Sequence, residues 1–259
     1  MVKPRVLVLR VAGTNCDQET VWALQMAGAS AERVHLNEFI SGRKRLKDYQ
    51  ALVIPGGFSY GDDIAAGKVL ANQLLYRLEN DLRELVHRRK PILGICNGFQ
   101  VLVKAGLLPG QPPGQQATLT WNDSARFEDR WVYLKVETEV CPFVKNLPEI
   151  IRLPVAHAEG KFLPANKKVL GFLERKKLVV FRYVSPSGEL TGYPYNPNGS
   201  VAGIAGICSP DGLILGMMPH PERAVIRQHY PDWLRHPESS ATAATAGFQI
   251  FKNMVDYLA

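Results

Sequence analysis

PILGICNGFQ, residues 91–100, reads as an apolar strand that turns into a helix at a cysteine. Ile92 to Ile95 form a near-continuous apolar run, as expected of a strand covered on both faces of its sheet. Gly94 and Gly98 stand two residues either side of Cys96 and leave room for a sharp turn. Such an elbow lifts a side chain above the carboxyl edge of a sheet, where open α/β sheets bind ligands. It also sets the sulfur at a helix N-terminus, where the dipole favours the thiolate, the nucleophilic form. A free cysteine is commonly a buried structural residue, so the elbow by itself makes Cys96 only a candidate nucleophile.

The chain around this elbow alternates. RVLVLRV (5–11) reads as a buried first strand, and Asp17 caps a helix ending near Gly28. A second strand covers about 31–36, and ALVIPGG (51–57) is a third that stops on Pro55-Gly56-Gly57. A helical region over about 64–89 breaks near 79–80, and the helix begun at Cys96 runs to about Lys104. Strands alternating with helices predict a mainly parallel α/β sheet, and right-handed crossovers put helices on both faces. After Gly106 the texture changes. ATLTW (117–121), RWVYLKVETEV (130–140), KKLVVFRYV (176–184) and VAGIAGI (201–207) read as strands of a smaller antiparallel or mixed sheet. LILGMMPHPER (213–223) ends another strand, 228–240 is a loop, and a helix covers about 243–257. No repeat or low-complexity tract divides the chain, so one domain over 1–259 is expected.

Composition excludes several classes. The chain is 46% hydrophobic and 21% charged, the balance of an ordinary globular protein rather than a disordered one. No apolar run is long enough to span a bilayer, and Arg5 and Arg10 interrupt the one that would imitate a signal peptide. Four cysteines without paired spacing suit a reducing, cytoplasmic setting and argue against disulfides or structural zinc. The net charge of +7 raises nucleic acid as a partner, but the basic residues are scattered and no binding motif accompanies them. No nucleic acid or membrane partner is expected.

A cysteine nucleophile needs a base, and the base needs a group that orients it. His220 and Glu222 in MMPHPER lie at i and i+2, so both project to one side of an extended segment that Pro219 and Pro221 stiffen. The preceding strand delivers them to the sheet edge where Cys96 is expected. Gly56 and Gly57 offer backbone N–H groups with no side chain in the way, and with the N–H of Asn97 they can hold an oxyanion.

Together G-x-C-x-G-x-Q, the strand-terminal PGG and the late His-x-Glu resemble class I glutamine amidotransferases. GTNCD (13–17), PGGFSYGD (55–62), GICNGFQ (94–100), the segment from His157 to Gly160, and SPDGLILGMMPHPER (209–223) narrow the resemblance. They are similar to the glutaminase subunits of the phosphoribosylformylglycinamidine synthase family, from about Val6 to Arg223. The resemblance implies a flavodoxin-like α/β core and a triad of Cys96, His220 and Glu222. It implies oxyanion donors at Gly57 (or Gly56) and Asn97, and a glutamine-binding role for Gln100. It further implies that glutamine is hydrolysed through a cysteine thioester. The ammonia would pass to a large ATP-dependent synthetase subunit, often accompanied by a third small subunit. That partner would convert formylglycinamide ribonucleotide to formylglycinamidine ribonucleotide in purine biosynthesis. No cofactor or metal is expected on this chain; ATP and magnesium would sit on the synthetase. Ala158 stands where the family is expected to carry glycine, and the 228–240 loop is longer than the family needs. His157 and Glu159 read as interface positions rather than catalytic ones. Cys16, followed by Asp17, reads as structural. Two other readings remain at this level: a glutaminase serving a different synthetase, and a cysteine-elbow sensor or chaperone, which would have no need of His-Pro-Glu.

Overall fold

The computed structural model describes residues 2–111, 113–235 and 244–258. In chain order the elements are β1 (Arg5–Arg10), α1 (Asp17–Met26), β2 (Ser30–His35), α2 (Leu36–Ile40), β3 (Ala51–Ile54), α3 (Lys68–Arg77), α4 (Glu79–His87), β4 (Ile92–Ile95) and α5 (Asn97–Lys104). There follow β5 (Ala117–Thr120), β6 (Glu128–Val136), β7 (Ile150–His157), β8 (Lys161–Pro164), α6 (Lys167–Arg175), β9 (Val179–Val184), β10 (Ile204–Cys208), β11 (Ile214–Met217) and α7 (Ala246–Tyr257).

Nine strands form one sheet in the order β2-β1-β3-β4-β11-β10-β9-β6-β7. The five from β2 to β11 are mutually parallel, and the four beyond β11 run antiparallel to their neighbours. Much of the expected antiparallel part is thus a continuation of the main sheet. A separate two-stranded sheet, β5 with β8, lies outside it. The helix α1 packs on β1 and β2 and meets α7, whereas α5 packs on β3, β4 and β11 and meets α3. Right-handed crossovers set these two groups on opposite faces. Residues 91–95 and 51–54 are buried throughout, as the apolar runs required.

The structure differs from the sequence reading in particular places. Residues 64–67 form turn and bend rather than helix, and the helical region divides at Leu78. The segment 201–203 is a single 3-10 turn, with the strand beginning at Ile204. Four elements went unread: α2, β7, β8 and α6. Pro154 lies inside β7, which usually argues against a strand, but β7 is the edge of the sheet and an edge strand tolerates a proline. The start of α6 is fixed by Asn166, whose side chain accepts from the N–H groups of Lys168 and Val169. Of the 228–240 loop, residues 236–240 lie outside the described residues, as do 241–243 at the expected start of the last helix; α7 begins at Ala246. Among the described residues, no helix is long and apolar enough to cross a membrane.

Candidate active site

The site is built where β4 and β11, adjacent and parallel, both end. Ile95 pairs with Met217, and the Cys96 N–H donates to the Met217 carbonyl at 2.8 Å. Strands separated by more than a hundred residues in sequence therefore release Cys96 and His220 at the same edge. Cys96 sits at φ 50°, ψ −103°, a backbone conformation that non-glycine residues avoid. Helix α5 begins at the next residue. The glycines of the elbow are required by close approach. A Cβ on Gly98 would lie 1.9 Å from the backbone oxygen of Ile54, and one on Gly94 would lie 2.7 Å from the Gly98 oxygen. Cys96 is 5% exposed and lines a cavity, and its thiol lies 3.6 Å from the Ala156 carbonyl oxygen, to which it donates.

His220 and Glu222 are both buried, and His220 Nδ1 lies 2.6 Å from Glu222 Oε1. Neither His220 Nε2 nor Glu222 Oε2 has a hydrogen-bond partner among the described residues. Burial works against an imidazolium here, yet Glu222, and to a lesser degree Cys96 and Cys16, hold the His220 pKa well above its ordinary value. A histidine bonded through Nδ1 to a carboxylate, with Nε2 left free, has the polarity that a base beside a thiol requires.

Two cavities meet at Cys96 and Gly57. One, of about 200 Å³, is lined by Asn15, Cys16, Gly57, Cys96, His220 and Arg223 among others. The second, of about 290 Å³, runs past Gly57, Asp62, Cys96, Gln100, Trp121 and Glu159. Of the two glycines at the end of β3, Gly57 lines both cavities. Gly56 instead packs beneath His220, where a Cβ would lie 2.7 Å from Cε1. Gly57 adopts φ 141°, and a Cβ there would collide with the Gly13–Asn15 backbone. The flanking groups are occupied, since the Gly56 carbonyl accepts from Cys16 N–H and Phe58 N–H donates to Gly13. The Asn97 N–H lies in the first turn of α5, where helix N–H groups have no intrahelical acceptor.

The side chain of Asn97 has a further task. It accepts from the Ser59 N–H at 3.2 Å and donates to Asp62 Oδ1 at 3.0 Å and Gln100 Oε1 at 2.9 Å. Gln100 in turn donates to the Glu159 carbonyl at 2.6 Å. The elbow helix is thereby fastened to the 58–62 loop on one side and to the end of β7 on the other. Burial raises the Asp62 carboxyl to about 6, against opposing hydrogen bonds from Gly67 and Asn97.

All six sequence-derived positions are therefore gathered around one sulfur. Several neighbours were not anticipated. His157, read as an interface position, is 3% exposed, bonded through its ring nitrogens to Asn122 and Asn198, and lines the second cavity. Burial drives its pKa down to about 3. Ala158 and Glu159 line the second cavity directly. Cys16 is not remote from the chemistry: its sulfur lies 3.9 Å from His220 Nδ1, and burial pushes its thiol up to about 11. Cys16, His220 and Glu222 are also the one group of potential metal ligands among the described residues, with donor atoms within 4.8 Å of one another. The His220–Glu222 hydrogen bond already engages one atom of each. Only the GTNCD wording hinted at residues 15 and 16, and it gave them no role.

Comparison with known proteins agrees with this geometry. The family model for CobB/CobQ-like glutamine amidotransferase domains matches residues 3–258. The chain is 45% identical to phosphoribosylformylglycinamidine synthase subunit PurQ of Archaeoglobus fulgidus, over 98% of this chain and 97% of that one. It is 43% identical to the subunit of the same name from Pyrococcus furiosus, over 100% of this chain and 99% of that one. A chain in the solved structure of PurLQS from Thermotoga maritima superposes with a TM-score of 0.75 at 31% identity, each covered in full. A glutamine amidotransferase of Thermotoga maritima, 17% identical with a TM-score of 0.56, shares the fold over 100% of this chain and 99% of that one. By its family model, its near full-length relatives and its elbow geometry together, the chain belongs to the glutamine amidotransferases, in the PurQ family.

Proposed function

We propose that this chain is the glutaminase subunit of a phosphoribosylformylglycinamidine synthase, with Cys96 as nucleophile, His220 as acid and base, and Glu222 as the group that orients His220. The observation that carries the reading is the delivery of Cys96 and His220 into one cavity by the adjacent parallel strands β4 and β11, with Glu222 bonded to His220 Nδ1.

In this mechanism the Cys96 thiolate attacks the carboxamide carbon of glutamine. The carbonyl oxygen takes the negative charge and lies between the N–H groups of Gly57 and Asn97. His220, as imidazolium, gives its Nε2 proton to the departing nitrogen, and ammonia leaves. A γ-glutamyl thioester remains on Cys96. The now neutral imidazole takes a proton from water, the hydroxide adds to the thioester, and glutamate departs as the thiolate is restored. Glu222 keeps the proton on Nδ1 in the neutral form and stabilises the charged one. Gln100 holds the amino-acid end of the substrate, in the cavity that it lines with Asp62 and Glu159.

Ammonia is consumed by the synthetase partner, so the phosphorylating chemistry, with ATP and magnesium, belongs to that partner, and no cofactor is assigned to this chain. A third small subunit completes the assembly. The unpaired state of all four cysteines supports a reducing, cytoplasmic setting. The continuous sheet and a family match across 3–258 support a single unit over 1–259. The test is glutamine hydrolysis by the chain with and without its synthetase and nucleotide. Cys96→Ser is expected to abolish hydrolysis in the complex while leaving assembly intact; turnover persisting in that variant would overturn the assignment.

A further inference from the structure

Arg223 lies on the same single 3-10 turn as Glu222, Pro221–Ala224, and its N–H closes back on the His220 carbonyl at 3.3 Å. One oxygen of Glu222 is bonded to His220; the other is buried without a hydrogen-bond partner among the described residues. A buried carboxylate oxygen beside a guanidinium is the arrangement in which arginine forms a forked, charge-assisted pair. Here that pair is not made. Arg223 Nε instead donates to Glu19 Oε1 on α1 at 2.8 Å, and Nη2 donates to the sulfur of Cys16 at 3.2 Å.

Cys16 is itself immobilised. Its N–H is held by Gly56, its carbonyl accepts from the Thr20 hydroxyl at 2.6 Å, and its thiol lies 3.1 Å from Asn15 Oδ1. Two points anchored to the first helix therefore hold the guanidinium by its Nε and Nη2 edges. We infer that Arg223 is a positioning residue whose tether to Glu19 and Cys16 keeps it off Glu222, and that this restraint reserves the Glu222 carboxylate for His220. The inference rests on the assignment of His220 as acid and base.

The consequence is a particular pH signature. Were Arg223 to pair with Glu222, the carboxylate would stabilise an imidazolium less, and His220 would lose its proton at lower pH. The other groups facing His220 do not obscure this in the neutral range. Cys16 remains a thiol and His157 remains neutral there, with pKa values of about 11 and about 3. Cys96 and Asp129 line the same cavity and are unchanged in the variants compared by turnover.

The experiment uses the chain in complex with its synthetase and follows kcat and KM for glutamine against pH. Glu19→Gln, which removes the anionic partner of Arg223 Nε and so weakens the tether, is expected to move the alkaline limb of kcat/KM down by at least half a pH unit. It should lower kcat five- to tenfold near neutral pH with KM changed less than twofold. Adding Arg223→Met to Glu19→Gln removes the competing cation and is expected to return the alkaline limb to its original position. A merely structural Glu19–Arg223 pair would behave oppositely, with the double variant no better than the single one. An unmoved limb in Glu19→Gln, or a double variant that recovers nothing, overturns the inference. His220 titration followed by imidazole ¹⁵N resonances in a Cys96→Ala background gives the same answer without turnover. Failure of the underlying assignment shows separately, as a Glu222→Gln enzyme that retains its kcat.

Discussion

A methyl group added at Gly98 is the smallest change that tests whether the elbow, rather than the thiol alone, makes the site. Helix α5 approaches β3 so closely that a Cβ at this position would lie 1.9 Å from the Ile54 carbonyl oxygen, where side-chain carbons essentially never come within 3.0 Å of a neighbour. The obstacle is backbone in the middle of the sheet, so the helix must retreat by about 1 Å. Inserting a carbon into a packed interior costs about 1–3 kcal/mol, and alanine returns up to about 1 kcal/mol in helix propensity. A net loss of about 1–2 kcal/mol corresponds to a melting temperature lower by roughly 2–8 °C in a chain of this size. Activity should suffer far more. Cys96 and the Asn97 N–H are attached to the end of the helix that moves, and an error of about 1 Å at reacting groups costs on the order of a hundredfold in rate. Thermal unfolding, glutamine hydrolysis in the complex, and alkylation of Cys96 by a diazoketone analogue of glutamine together make the assay. A Gly98→Ala chain that melts a few degrees early and still turns over within threefold of the parent would refute the argument.

Glu222→Gln should lower kcat by about 10³- to 10⁴-fold, since the amide no longer favours the required tautomer or the imidazolium, and the pH–rate profile should lose its alkaline extension. His157 is held neutral by burial, with a folded pKa of about 3 against an unfolded value near 6.5. The unfolded chain therefore binds the extra proton in that window, so stability present above about pH 6.5 is lost as pH falls towards 3. Denaturant titrations of His157→Gln between pH 6.5 and 4.5 should show a shallower fall than the parent. Asp62 carries the opposite sign. Its folded pKa of about 6 exceeds the unfolded value, so its contribution is full below about pH 4 and declines as pH rises through 6. Asp62→Asn should accordingly gain more relative stability at pH 7.5 than at pH 4.5, and equal gains at both would contradict the assignment.

What the sequence disclosed follows from where the signals are local. The elbow is a local signal, because Gly94, Cys96 and Gly98 are spaced by the geometry of one turn. His220 and Glu222 are legible for the same reason, an alternation of two along an extended stretch. The pairing of β4 with β11 is not local, and only the α/β pattern and family resemblance brought the two halves of the site together. Cys16 illustrates the limit. Asp17 beside it suggested an inert thiol, and the thiol is indeed held protonated, but by burial, which outweighs the opposing pull of His220, rather than by its sequence neighbour. Pro154 hid β7 and with it the reach of His157 and Glu159 into the site. His157 then reads as an interface residue from its motif, and its place inside the fold depends on Asn122 and Asn198, which carry no sequence signature at all.

The position of β11 bears on how the enzyme comes into being. Among the described residues it is the last strand in chain order, yet it lies between β4 and β10 at the junction of the parallel and antiparallel halves. Until it inserts, β4 has an open edge and the elbow cysteine has neither His220 nor the Met217 carbonyl that holds its N–H. In a chain emerging from the ribosome, Cys96 and His220 can become neighbours only after β11 has been made and has paired with β4, a long-range closure of the slow kind. Assembly of the central strand and activation of the thiol are a single step.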